Sequence, residues 1–290
     1  MMFRLRAFFS IVFSALLFVA LPTLAAQPLV VVHPDRPSVR DARYDFQISL
    51  LKLALDKSGV PYQMRPSKFG MEQGRMLTQL EKGLDVDVVW SMTSREREQH
   101  LLPIRIPIDK GLIGYRVFLV RPDKLAQFAQ VHTLEQLRQF EAGQGSFWPD
   151  TEILRANDLL VYGATVYENL FSMLEAERFD YFPRSITEIW DELKARPDRN
   201  LVVEPSILLY YPAAAYFFVN KQNKVLARTI ETGLRTAIRD GSFDQLFQTY
   251  YGEFIRKANL GNRTVIRLNN PLLPAETPLQ QKQLWFQPPS

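Results

Sequence analysis

Two short clusters of residues have the types and spacing to hold a small charged molecule. Trp90, Ser91 and Thr93 stand at the end of the apolar run Val86–Trp90, and Arg95 and Arg97 follow at once. A guanidinium in the loop after a buried strand can grip a carboxylate or phosphate with two parallel hydrogen bonds, and the Trp90 indole can stack on what is held. The bland alternative is that Arg95-Glu96-Arg97-Glu98 is a solvated run pairing with itself. The second cluster, Tyr181-Phe182-Pro183-Arg184-Ser185, repeats the pattern of strand, arginine and hydroxyl, with Arg184 as a second anion anchor. Phe147-Trp148-Pro149-Asp150-Thr151 adds aromatic surface and a helix start whose N–H groups suit an anion. There Asp150 reads more readily as the helix cap than as a ligand contact. Tyr44, ahead of the first helix, is a further candidate, whereas Tyr210-Tyr211-Pro212 reads as shaping a chain crossing.

Catalytic and metal-binding patterns are lacking. There is no G-x-S-x-G, S-x-x-K or H-E-x-x-H, and only 13 glycines with no Gly-rich phosphate loop. Asp85 and Asp87 share a strand face, but paired carboxylates act as acid and base only in a closed, desolvated site. His33, His100 and His132 are scattered, so neither a metal nor another cofactor is expected. The absence of cysteine removes disulfides, thiolate ligands and a Cys nucleophile. A net charge of +4 is spread through the chain without a Lys/Arg block, which argues against nucleic acid as a partner.

These residues need elements to position them. Arg4 and Arg6, the apolar run Ala7–Leu21, Pro22 and the small residues to Ala26 read as a secretory signal over 1–26. The apolar run, about 15 residues, is shorter than the roughly 20 of a spanning helix. The expectation is therefore a periplasmic protein, cleaved near Gln27. Beyond it, strand (28–34), helix (44–58), strand (60–64), helix (73–82) and strand (86–90) alternate, which favours a parallel sheet with crossover helices. A second series begins at Gly114, with strands at 115–120, 159–162, 180–182 and 201–203. Thr133 caps a short helix, and Thr165-x-x-Glu168 and Ser185-x-x-Glu188 have the capping-box form. A strand at 215–220 and helices at 224–240 and 243–254 follow, and then a Pro- and Gln-rich tail without periodicity. The fold class is α/β in two lobes joined by two strands: 27–113 with 212–262, then 114–211, with 263–290 as a Pro-rich arm, either extended or partly disordered.

In this order, Leu84–Thr93 followed by Glu96-Arg97 and Pro103–Pro107, then Ala215–Lys221 and Asp240-Gly241-Ser242-Phe243, resemble the type 2 periplasmic substrate-binding proteins. The likeness is to the family 3 solute-binding proteins that deliver polar amino acids to ABC transporters, and it covers Leu29 to Phe254. The resemblance implies an arginine after Thr93 that pairs with the ligand carboxylate. The spacing leaves Arg95 and Arg97 both open, and the Glu96-Arg97 context favours Arg97. It also implies an aspartate for the ligand ammonium where this chain has Ser185 beside Arg184, and a neutral hydroxyl cannot replace a carboxylate there. The expected function is capture of a small polar, anion-bearing, amino-acid-like solute by hinge closure for a membrane permease. The expected chain is a monomer with no enzymatic activity. The alternatives are a clamp presenting its ligand to a membrane sensor and an exported enzyme on the same fold.

Overall fold

The computed structural model describes residues 27–36 and 44–288, so the expected signal at 1–26 lies outside the described residues. The first lobe opens with β1 (Leu29–Asp35), α1 (Asp45–Ser58), β2 (Tyr62–Gly70), α2 (Gln73–Glu81), β3 (Val88–Met92), α3 (Arg95–His100) and β4 (Leu101–Ile104). The second contains β5 (Tyr115–Val120), α4 (Leu125–Phe128), α5 (Leu134–Leu137), β6 (Glu141–Gly145), α6 (Pro149–Arg155) and β7 (Leu160–Ala164). It continues with α7 (Tyr167–Glu175), β8 (Phe182–Ser185), α8 (Ile189–Lys194), β9 (Val202–Val203) and β10 (Ile207–Tyr210). The chain then returns to the first lobe as β11 (Ala215–Asn220), α9 (Lys224–Arg239) and α10 (Ser242–Ala258), and sends β12 (Thr264–Arg267) back to the second.

Burial explains these elements. In α1 the apolar residues Phe46, Leu50, Leu51, Ala54 and Leu55 form one buried face, and Gly59 at φ +75° ends the helix. In β11 every residue from Ala215 to Val219 is buried, because the strand is central, with β3 and β4 antiparallel on either side. The parallel sheet expected of the first lobe is only β1 on β2. β3 joins the antiparallel group instead, and Asp87 couples the two: its N–H donates to Val32 O and its Oδ2 accepts from Val32 N–H, both at 2.8 Å. The second lobe runs β12-β10-β5-β8, with β9 on β5, and β6 pairs parallel with β7.

Two capping boxes expected from sequence do not form. α7 starts at Tyr167 behind Val166 and α8 at Ile189 behind Glu188, neither with a side-chain cap. Their glutamates are drawn off by arginines, Glu168 to Arg196 and Glu188 to Arg184. The Thr133 box does form, with Gln136 as its partner. The Pro-rich tail contributes β12 to a sheet and is tied to the lobes again at Asn269–Leu272 and Trp285–Phe286.

Two antiparallel crossings join the lobes. The Tyr211 N–H donates to Gly114 O at 3.2 Å, and Ile108 N–H to Ala215 O at 2.9 Å. At Gly114 the backbones approach so closely that a Cβ would stand 2.1 Å from Tyr211 O. Gly114→Ala must push the crossings apart and is expected to cost about 2–3 kcal/mol. A lowered urea midpoint at unchanged slope is the expected result, and an unchanged midpoint would show the crossing to be loose.

Candidate functional site

A cavity of about 180 Å³ lies between the lobes. The first lobe supplies Tyr44 and Gln47 at the start of α1, Glu72 and Gln73 at the start of α2, and Trp90 and Ser91 from β3. The second supplies Arg116 from β5, Trp148 and Asp150 at the start of α6, Tyr167 of α7, and Arg184 and Glu188 at the end of β8. Asp109 of the outward crossing closes the floor.

Five carboxylates and two guanidiniums line this space. Both arginines are out of water and neutralised within their own lobe. Arg116, 2 % exposed, meets Asp150 at 2.5 Å, and the Tyr211 hydroxyl donates to the same Asp150 oxygen. Burial works against the Arg116 charge, but Asp150, Tyr211 and Glu188 outweigh it and hold the guanidinium charged. Arg184, also 2 % exposed, forms a fork on Glu192, with Nε to Oε2 at 2.9 Å and Nη2 to Oε1 at 2.6 Å. Glu188 Oε2 lies 2.8 Å from Arg184 Nη2 and 3.8 Å from Arg116 Nη1, bridging the two cations. The Arg184 guanidinium also rests against Trp148 and Phe182, 4.8 and 4.9 Å from their ring centroids. Burial pushes the Asp109 carboxyl up to about 7, although it accepts from Gly111 and Ile113 N–H at 3.0 and 2.9 Å.

Three cavity residues hold buried polar atoms without a hydrogen-bond partner among the described residues: Gln47 Oε1, Arg116 Nε and Glu188 Oε2, the last still ion-paired with Arg184. Of the other two, Gln47 is an acceptor from the first lobe and Arg116 a donor from the second. Buried polar groups are nearly always satisfied, so this pair marks where a ligand or an ordered water would bind.

No protein-family model matches the chain, and no curated protein matches its sequence. Solved structures do match. An ancestral arginine-binding protein bound to arginine aligns with a TM-score of 0.57 at 17% identity, over 77% of this chain and 98% of that one. An arginine-specific periplasmic binding protein of Salmonella typhimurium gives 0.58 at 16% identity, over 77% and 100%. A substrate-binding protein of an amino acid ABC transporter from Streptococcus pneumoniae, bound to L-arginine, gives 0.57 at 16% identity, over 78% and 94%. This chain has the two-lobed periplasmic binding-protein fold. At these identities the likeness is one of architecture.

Within the binding-protein fold, the residues singled out by sequence divide into two groups. Tyr44, Trp90, Ser91, Asp150 and Arg184 line the cavity, with Tyr44 edge-on to Trp90 at 5.1 Å between centroids. Thr93, Arg97, Thr151 and Ser185 do not. Thr93 donates to Glu98 at 2.7 Å and Thr151 to Gly145 O at 2.8 Å, while Ser185 bonds Leu112 O and Thr187. Arg97 lies in a neighbouring groove with exposed Arg95. Its guanidinium donates to Ser91 Oγ, Met92 O and Gln73 Oε1, and across the lobes to Phe147 O at 3.2 Å. Desolvation lowers its pKa to about 10, so it stays charged. Asp150 is not the helix cap expected of it: Trp148 occupies that position, and the Asp150 carboxylate is spent on Arg116 and Tyr211.

Sequence reasoning did not single out Gln47, Asp109, Arg116, Tyr167 or Glu188. Arg116 carried a usable signal, as the one charge in the otherwise apolar strand YRVFLV, since an arginine there must be buried and paired. Asp109 gives a test by pH. Its ordinary value is 3.8, so between about 4 and 7 the folded chain holds a proton that the unfolded chain has released. Stability should therefore fall as pH rises through that window, by at most about 1.4 kcal/mol per unit, and level off above it. Asp109→Asn should lose that slope when urea midpoints are compared at pH 5 and 7. Parallel curves for the two proteins would remove Asp109 as the titrating group.

Proposed function

We propose that the chain is a solute-binding protein that takes an amino-acid-like solute into the cavity between its lobes. The cavity between the lobes, with an unmet acceptor on Gln47 of one wall and an unmet donor on Arg116 of the other, carries this reading. A zwitterion answers both: its carboxylate takes the Arg116 Nε–H, and its ammonium donates to Gln47 Oε1. The bound arginine in matched structures favours a ligand with a further positive charge. In this reading Gln47 stands in for the missing aspartate at Ser185, and Arg116 takes the anion-holding role that position suggested for Arg97 and Arg184. Trp90 and Tyr44 cover the solute from one side, Trp148 and Tyr167 from the other. Binding draws the lobes together to the extent that the closed form holds the solute better.

The leader-like segment at 1–26 and the ABC-transporter neighbours support a periplasmic location and delivery to a membrane permease. Nothing in the cavity favours turnover of the solute over its capture.

Calorimetric titration with L-arginine, L-lysine, L-glutamate and dicarboxylates tests the proposal. The basic amino acids should bind, and Gln47→Leu should weaken them about tenfold, the worth of one hydrogen bond of about 1.4 kcal/mol. Equal affinity in Gln47→Leu, or no binding by any amino acid, would overturn it.

A further inference from the structure

The segment after α10 is fastened to both lobes and to both crossings. β12 extends the second lobe's sheet, and the next residue, Leu268, donates its N–H to Tyr210 O at 2.8 Å. Asn157, buried in that lobe, exchanges two hydrogen bonds with the Asn269 backbone, Nδ2 to O at 2.8 Å and N–H to Oδ1 at 3.0 Å. Only three residues further on the chain is tied to the first lobe, where Arg95 N–H at the head of α3 donates to Leu272 O at 3.0 Å. Between these knots Asn270 Nδ2 donates to Pro212 O, on the return crossing, at 2.9 Å. The far end holds the outward crossing. Phe286 N–H donates to Lys110 O at 2.8 Å, and the Trp285 ring lies where a Cβ on Gly111 would be, 2.5 Å from it.

Three residues of chain reach about 11 Å at full extension. While both knots hold, Leu272, bound to α3 of the first lobe, cannot move beyond that distance from Asn269, bound to Asn157 of the second. Leu272 lines the groove that also contains Arg97, Phe147 and Trp148, so the tether lies where the two lobes meet. We infer that residues 263–288 are a strap that limits how far the lobes part. The site then exchanges with solvent through a narrow opening, and the clamp does not swing wide. This concerns the empty chain and does not depend on what the cavity binds.

The chain contains no cysteine, so spin labels can be placed at will. Glu81→Cys and Glu152→Cys, on exposed positions flanking the groove, report its width by pulsed electron–electron distance measurement. Two strap variants are compared with the full chain on that background. One stops after Asn270; the other inserts ten Gly/Ser residues between Asn270 and Pro271, keeping every docked residue but raising the reach to about 45 Å. The full chain should give one narrow distance. Both variants should add a population longer by about 10 Å or more, beyond what the natural strap permits. An insertion variant with the distribution of the full chain would overturn the strap, as would a full chain already as broad as the variants. If the shortened chain does not fold, the insertion variant decides alone.

Discussion

The guanidinium groups of Arg116 and Arg184 lie out of water, where an unpaired charge would cost several kcal/mol. Each needs a carboxylate at hydrogen-bond distance, and the second lobe is arranged to supply them. α6 begins where it does so that Asp150 reaches Arg116, and α8 packs so that Glu192 forks onto Arg184. Glu188 gives up a capping role to stand between the two cations. Tyr211, at the return crossing, donates to Asp150 and so ties the chain's exit from this lobe to the same network. Removing Asp150 would leave Arg116 only the more distant Glu188, 3.8 Å away, so Asp150 is the carboxylate that matters most to this wall of the cavity.

Pairing within that wall changes what the arginines can do. A guanidinium whose donors are engaged by its own lobe shapes and charges the wall but has little left to offer a solute. Arg97 is engaged differently, with one of its donors spent across the groove on Phe147 O. That hydrogen bond links the first lobe to the second. The two arginines that position alone recommends are thus both occupied, and Arg116, inside a strand, retains an unmet N–H.

The legible part of the sequence was what depends on local pattern. The strand–helix alternation, the two-lobed division and the long amphipathic α9 all arise from periodicity and glycine stops, and the structure contains them. Tyr44, Trp90, Ser91, Asp150 and Arg184 were legible because residues at strand ends and helix starts face the space between α/β units. What escaped depends on partners distant in sequence. Ser185-x-x-Glu188 has the form of a capping box, and only the nearness of Arg184 and Arg116 decides against it. Gln47 is one polar residue in an amphipathic helix until the second lobe closes over it. The tail showed no periodicity because its order comes from docking, one hydrogen bond at a time, on surfaces that the rest of the chain has already made.

The β10–β12 pairing also bears on the order of folding. Ile207–Tyr210 accepts a parallel neighbour, Thr264–Arg267, that is synthesised only after all of β11, α9 and α10. Such non-local pairing closes a long loop and is slow to form. Until it does, β10 keeps an open edge, and the second lobe, although nearly continuous in sequence, is an unfinished sheet. A chain released before Thr264 would expose a strand edge of the kind that invites pairing with other chains. The last strand to be made therefore takes over the open edge of that sheet, and at four residues ending in the exposed Arg267 it is a poor template for further pairing.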